Sequence, residues 1–191
     1  AEVTGPKSNK LHPRFKTTIR WLLSIYMLLT VSCAAALYFA GMGLFDSVCH
    51  AFTTTATGGF STHSESIGYF NSPTIEYVEI VFMFLSGINF TMLYMLFLRG
   101  KFKVFFTNSE LKAYVFIMLT ASAAMSVLLY FHSGYDIPTS VRTSLFHVVS
   151  IGTTSGFVSS DITVWHPTIQ VILAIVMFTG ACAGSTSGGF K

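Results

Sequence analysis

One segment of this chain is written twice. Residues 50–60 (HAFTTTATGGF) and 147–157 (HVVSIGTTSGF) align so that His50 meets His147, Thr57 meets Thr154, Gly59 meets Gly156 and Phe60 meets Phe157, all at an offset of 97 positions. A three-residue contraction then aligns Pro73-Thr74-Ile75 with Pro167-Thr168-Ile169, and Met83-Phe84 with Met177-Phe178. Matches that persist through a loop and into the next helix define an internal repeat. A repeat of this kind constrains the fold strongly, because each copy must be a module that completes its packing against the others.

The solvent for these modules is lipid. Of 191 residues, 52% are hydrophobic and only 10% charged, with a mean hydropathy of +0.63; a soluble domain carries about 25% charged residues. Residues 21–45, 80–98 and 113–135 contain no Asp, Glu, Lys or Arg. Each stretch can cross a hydrocarbon core of about 30 Å, which takes roughly 20 helical residues. Three such stretches in so short a chain argue against the buried helices of a large soluble protein. The first is too long for a secretory signal and has no small-residue cleavage site before a polar domain.

The net charge of +3 matters less than where the charges lie. Lys7, Lys10, Arg14, Lys16 and Arg20 precede the first span, and Arg99, Lys101, Lys103 and Lys112 lie between the second and third. The positive-inside rule makes both sets cytoplasmic, giving a basic segment 1–16 and a cytoplasmic loop 99–109. Glu65, Glu76, Glu79, Asp136 and Asp161 then fall on the opposite side. The basic residues flank spans and carry no base-reading motif, which argues against a nucleic-acid partner. Cys33, Cys49 and Cys182 are isolated in apolar surroundings and read as small core residues, not as a disulfide frame or metal site.

The chain divides into two units of helix, short helix, loop and helix, residues 17–98 and 110–191. In the first, residues 17–41 cross outward and 45–55 form a short helix begun near Asp46, whose carboxylate can cap a first turn. Residues 56–62 form a polar loop, and 73–98 return from Pro73, a favourable first-turn residue. The counterparts are 110–132, 139–152, 153–160 and 167 onward. Short helices of 11 and 14 residues reach only roughly 16–21 Å, too little to span a bilayer. A re-entrant segment that stops partway places Thr/Gly/Ser backbone at membrane depth, which is tolerated only against protein or a water-filled cavity. The alternative is a plain outer loop; two copies in one frame favour re-entry.

Such backbone can bind a bare cation, because a ring of carbonyls replaces its water. Glycine lets successive carbonyls point one way, since it has no Cβ to clash. Ala56, Thr57, Gly58 and Gly59, with Thr153, Thr154, Ser155 and Gly156, are the expected ion-binding residues. The C-terminal ends of the short helices add partial negative charge, and outer acidic residues concentrate cations. Phe60 and Phe157 are expected to wedge these loops against neighbouring helices.

The segments TATGGF and TTSGF, the helix–pore helix–loop–helix repeat around them, and the closing GACAGSTSGGFK resemble the Trk/Ktr/HKT superfamily of potassium transporters over essentially the whole chain. The resemblance implies an all-α polytopic membrane protein of the bacterial inner membrane that takes up potassium through a carbonyl-lined selectivity filter. It implies four repeats around one pore, each with a critical glycine, whose place Gly59 and Gly156 hold. Only two repeats stand here, which by resemblance are the second and third. Two filter strands cannot encircle an ion, so the chain is expected to be a fragment or to need a partner carrying the rest; its ending at Lys191, partway through a span, favours a fragment. The resemblance further implies a homodimer and a cytoplasmic nucleotide-binding regulatory ring of the TrkA type, with K+ as the transported ion and no covalently bound cofactor. Proton-coupled symport and channel-like flux both stay open. A sodium-permeable or poorly selective relative is the rival reading; outside transport, the rival is a membrane-embedded enzyme or structural subunit.

The chain's end carries a second candidate. From Pro167 to Cys182 a helix covers about 24 Å and runs out inside the bilayer. Gly180, Gly184, Ser185, Thr186, Ser187, Gly188 and Gly189 follow as a flexible polar stretch. By resemblance this is the intramembrane loop that obstructs the pore and moves to open it. Its counterpart at 85–90 is expected to stay helical, with Asn89 making an interhelical hydrogen bond.

Other signals are weaker. Phe190 separates Gly189 from Lys191, and no strand precedes the run, so 184–191 is not a phosphate-binding loop. Thr186 stands where a hydrolase elbow needs serine. His50 and His147 read as polar buttresses of the loops, and Arg142 as paired with an acidic residue such as Asp136. No catalytic pair or triad is present, so an enzyme reading has no support.

Overall fold

The computed structural model describes residues 15–97, 100 and 107–189. Lys7, Lys10, Arg14, Arg99, Lys101 and Lys103, and with them most of the basic segments 1–16 and 99–109, lie outside the described residues, as do Phe190 and Lys191.

The first unit contains α1 (Phe15–Phe39), α2 (Leu44–Thr55), a 3-10 turn (Ser66–Phe70), α3 (Pro73–Ser86) and α4 (Phe90–Phe97). The second contains α5 (Ser109–Ser133), α6 (Ile137–Gly152), a 3-10 turn (Ile162–Val164) and α7 (Pro167–Thr179). The protein is therefore all-helical, with the order long helix, short helix, loop, helix in both units. Local chemistry sets the boundaries. Asn108 caps α5 by accepting from the Leu111 amide at 3.0 Å, and Gly134 at φ 68° ends it. Pro73 and Pro167 open α3 and α7, where a missing amide hydrogen costs nothing.

Polarity runs inside out. Ser47, His50, Thr54, Ser144, His147 and Ser150 are buried, whereas Leu23, Met27, Val31, Phe116, Phe131 and Ile175 are exposed. Water would invert this distribution, and lipid allows it. Segments Ile19–Phe39 and Ser109–Ser133 are long and apolar enough to cross a membrane.

The apolar stretch 80–98 departs from expectation. It is not one helix: α3 and α4 meet at a bend of 107°. The physical reason lies in the other repeat. The Phe90 amide donates to the Gly184 carbonyl at 3.0 Å, and the Gly87 carbonyl accepts from the Cys182 amide at 3.0 Å. Partners from the terminal loop thus replace the helical ladder at 87–90. The last helix is also shorter than expected, ending at Thr179 because Gly180 takes φ 64°, ψ −168°.

The two units share their core. Phe146 and Phe157 of the second pack with Cys33, Leu37, Met42, Ile67 and Met83 of the first. Arg142 is paired as expected but with a different acid: its Nε lies 3.0 Å from Glu76 Oε2, joining α6 to α3. Asp136 is close to Arg142 in sequence, yet the packing of α3 against α6 brings Glu76 closer. Arg142→Ala strands Glu76 with its side chain 12% exposed, and is expected to lower stability by about 1.5–3 kcal/mol, the range for a hydrogen bond to a charged group. Thermal unfolding in detergent checks this; an unchanged midpoint would show that the pair contributes nothing.

Candidate ion-binding site and terminal loop

Both short helices end in the same way. At the end of α2, the Thr57 amide donates to the Thr54 carbonyl (3.1 Å) and the Gly58 amide to that of Thr53 (2.7 Å). At the end of α6, the Thr154 amide donates to Ile151 (3.0 Å) and the Ser155 amide to Ser150 (2.9 Å). This is the paired 6→1 and 5→2 closure that needs a left-handed residue just past the helix, usually glycine. Here threonine takes that position, at φ 52° for Thr57 and 58° for Thr154. Gly59 (φ 65°) and Gly156 (φ 86°) are left-handed again two residues on, with Gly58 and Ser155 between them outside that region. The two segments therefore share one backbone pattern at the offset seen in the sequence.

A hydroxyl strut holds each segment against its own helix. Thr53 Oγ1 donates to the Phe60 carbonyl at 2.8 Å, and Ser150 Oγ donates to the Phe157 carbonyl at 2.7 Å. Sequence reasoning missed these residues, although both are hydroxylic and 97 apart. His50 braces the first segment further on. Its Nδ1 lies 2.8 Å from the Asp46 carbonyl, which can only accept, so Nδ1 carries the proton; Nε2 of the neutral ring then accepts from Ser61 Oγ at 2.9 Å. His147 Nδ1 makes the same bond to Thr143, at 2.9 Å. Asp46 is not the helix cap: Gly43 holds that position without a side-chain bond, and Asp46 Oδ1 instead accepts from Thr62 Oγ1 at 2.7 Å. It ties the outgoing loop back to the start of α2.

The two segments lie edge to edge. A Cβ on Gly59 would stand 1.8 Å from the Ser155 carbonyl oxygen, so the strands touch where only glycine fits. Phe157 is buried and stacks on His50 at 5.9 Å, whereas Phe60 is 78% exposed. The wedge role holds for Phe157 within this chain and not for Phe60.

The terminal loop binds both segments. Thr186 Oγ1 donates to the Thr55 carbonyl (2.9 Å), and its own carbonyl accepts from Thr57 Oγ1 (3.0 Å). Gly188 donates its amide to Thr154 Oγ1 at 2.7 Å. The left-handed threonines that close the helices thus also hold the loop. Ser185 and Ser187 bond each other at 2.6 Å, and Ser187 is buried. Gly180, Gly184 and Gly189 all take positive φ, at 64°, 74° and 97°. Asn89 bonds the loop instead of bridging two helices: its Nδ2 donates to the Ala183 carbonyl at 2.6 Å, and its Oδ1 accepts from the Thr91 amide at the start of α4.

Acidic residues are more dispersed than their sequence positions suggest. Glu79 is fully buried behind α2, where Thr54 Oγ1 lies 2.7 Å from its Oε2, and Glu76 is spent on Arg142. Glu65, Asp136 and Asp161 are exposed at the end where the short helices begin. Glu65 and Asp161 line an open cavity of about 460 Å³ with Ser64, Ser66, Ser159 and Ser160. The hydroxyl and amide of Thr163 hold the Asp161 carboxyl below the usual carboxylate range. Among the described residues no three His, Cys, Asp or Glu side chains gather as a metal site.

Known proteins place this architecture. The family model described as "TrkH: Cation transport protein" matches residues 2–191. The Trk system potassium uptake protein TrkH of Salmonella typhimurium is 43% identical over 100% of this chain and 40% of its own length. The Escherichia coli K12 protein named TrkG is 39% identical with the same coverage. The crystal structure of the potassium transporter TrkH from Vibrio parahaemolyticus superimposes with a TM-score of 0.89 at 38% identity, covering 95% of this chain and 40% of that one. The chain thus spans about 40% of the length of the relatives it matches. It belongs to the TrkH family of cation transport proteins.

Proposed function

We propose that this chain supplies two of the four filter strands of a pore that takes potassium into the cell. Residues 17–98 and 110–191 are its two pore repeats, with 1–16 and 99–109 on the cytoplasmic side. Ala56, Thr57, Gly58, Gly59, Thr153, Thr154, Ser155 and Gly156 line the ion path, and 180–189 form the gate below. One observation carries this reading: two segments with the same alternation of φ sign stand in contact, each at the foot of a short helix. An extended strand turns successive groups to opposite faces, and alternating the sign of φ turns successive carbonyls to one side. A ring of such carbonyls substitutes for a cation's hydration shell. The negative ends of α2 and α6 point the same way as these segments. The names of the relatives support potassium as the ion, and the family resemblance supports a homodimer in the bacterial inner membrane with a TrkA-type regulatory ring.

The test is cation flux by the full-length protein in proteoliposomes. Potassium flux is expected to exceed sodium flux by about tenfold or more, a difference of roughly 1.4 kcal/mol between the two ions. Equal fluxes would favour a poorly selective cation pore, and no flux under any gradient would remove the conduction reading.

A further inference from the structure

The terminal loop closes its first turn only through Ser185, whose amide and hydroxyl donate to the Cys182 carbonyl at 3.3 and 2.6 Å. Its opening peptides are bound from outside: the Cys182 amide by the Gly87 carbonyl, the Gly184 carbonyl by the Phe90 amide, and both polar groups of Ala183 by side chains. Asn89 Nδ2 donates to the Ala183 carbonyl, and the Ala183 amide donates to Glu110 Oε1, 73 residues away in sequence. These two side chains have different characters. Asn89 is half-buried and fixed at its other end, because its Oδ1 accepts from the Thr91 amide at 2.8 Å. Gly184 packs against it so closely that a Cβ would lie 2.9 Å from Nδ2. Glu110 is exposed in the first turn of α5, directly after the segment 99–109.

We propose that Asn89 and Glu110 form a latch on the gating loop, with Asn89 the fixed half and Glu110 the releasable half. The inference rests on the conduction reading above and adds to it how the closed loop is held from the cytoplasmic side. A bond from an amide to a carboxylate is among the stronger hydrogen bonds. Water competes for an exposed carboxylate, so this bond can be exchanged without unfolding anything. The far end of the loop is held separately, by Thr57, Thr55 and Thr154. Loss of the Glu110 bond therefore loosens the near end before the far end, although the Gly87, Phe90 and Asn89 bonds still hold it. Movement of α5 carries Glu110 with it, which links the loop to the segment 99–109.

Cys182 reports the latch directly, because it is 2% exposed and adjoins Ala183. The experiment uses the full-length protein in proteoliposomes with its other cysteines replaced by alanine, Cys33 and Cys49 included. Glu110→Ala is expected to speed maleimide labelling of Cys182 by about threefold to tenfold, the shift for one lost hydrogen bond. Resting potassium flux should rise in parallel, with the potassium-over-sodium preference unchanged. Glu110→Gln keeps an oxygen acceptor but loses the charge, and is expected to fall between the wild type and Glu110→Ala in both readouts. Wild-type labelling in Glu110→Ala overturns the latch, as does a Glu110→Gln protein that labels as fast as Glu110→Ala. Faster labelling in a protein without cation flux supports the latch and overturns the conduction reading instead.

Discussion

Gly59→Ala is expected to cut potassium flux severely while the protein still inserts and folds. Two costs coincide at this position. The backbone is left-handed at φ 65°, which costs an L-residue about 1–2 kcal/mol. The added methyl would also stand 1.8 Å from the Ser155 oxygen and 2.8 Å from its carbonyl carbon, both backbone atoms. Backbone cannot rotate aside as a side chain can, so one strand must move. Overpacking of this kind costs about 1–3 kcal/mol, and each 1.4 kcal/mol lost from the conducting geometry is about tenfold in rate. Flux of the reconstituted protein should fall by about tenfold or more. Wild-type flux would show that Gly59 lies outside the ion path. Gly156 sharpens the test. It is left-handed at φ 86°, but no described atom lies within 4 Å of an added Cβ. In the proposed four-repeat pore the next repeat's strand would pack there. In the full-length protein Gly156→Ala is therefore expected to be as severe as Gly59→Ala. A mild Gly156→Ala beside a severe Gly59→Ala would show that no strand occupies that edge.

Removal of residues 184–189 is expected to have an equally large effect in the opposite direction. This segment carries the bonds from Thr186 to Thr55 and from Gly188 to Thr154, and it accepts one from Thr57. In the proposed gate, three net hydrogen bonds at about 0.5–1.5 kcal/mol each would hold the loop closed strongly enough to suppress flux by roughly tenfold to a thousandfold. Deletion should release all of that. Thr186→Val makes a smaller cut with the shape preserved, removing only the hydroxyl that bonds the Thr55 and Ser86 carbonyls. Its resting flux should lie between those of the wild type and the deletion. Unchanged flux in both variants, with normal expression and insertion, would remove the loop from the gating role.

Much of the fold is legible in the residue order, for a local reason. Helix lengths follow from apolar runs, and helix ends from Asn108, Gly134, Pro73 and Pro167. A lipid surface leaves few other arrangements for these pieces. The paired candidate segments are legible because two copies of one motif carry the same backbone requirements. Thr53 and Ser150 can be found by the same route, since both are hydroxylic at the common offset. Their role is easily missed because a hydroxyl inside a helix usually bonds only the preceding turn.

Other features are illegible because their partners are remote. The bend at 87–90 reads as ordinary apolar helix, and it breaks only because Cys182 and Gly184 supply its missing bonds. Asp46 reads as a helix cap and instead holds the returning loop. Glu79 reads as a charge at the mouth and is buried behind α2.

The chain's own residue order determined the apolar helices, their repeat and the paired glycine-bearing segments at 56–59 and 153–156, because each depends on neighbours a few residues away. The tertiary structure alone decided which strand Gly59 touches, which carboxylate Arg142 meets and which side chains hold the terminal loop. Those pairings join residues 66 to 131 positions apart, and at such separations only the packing of one repeat against the other selects the partner.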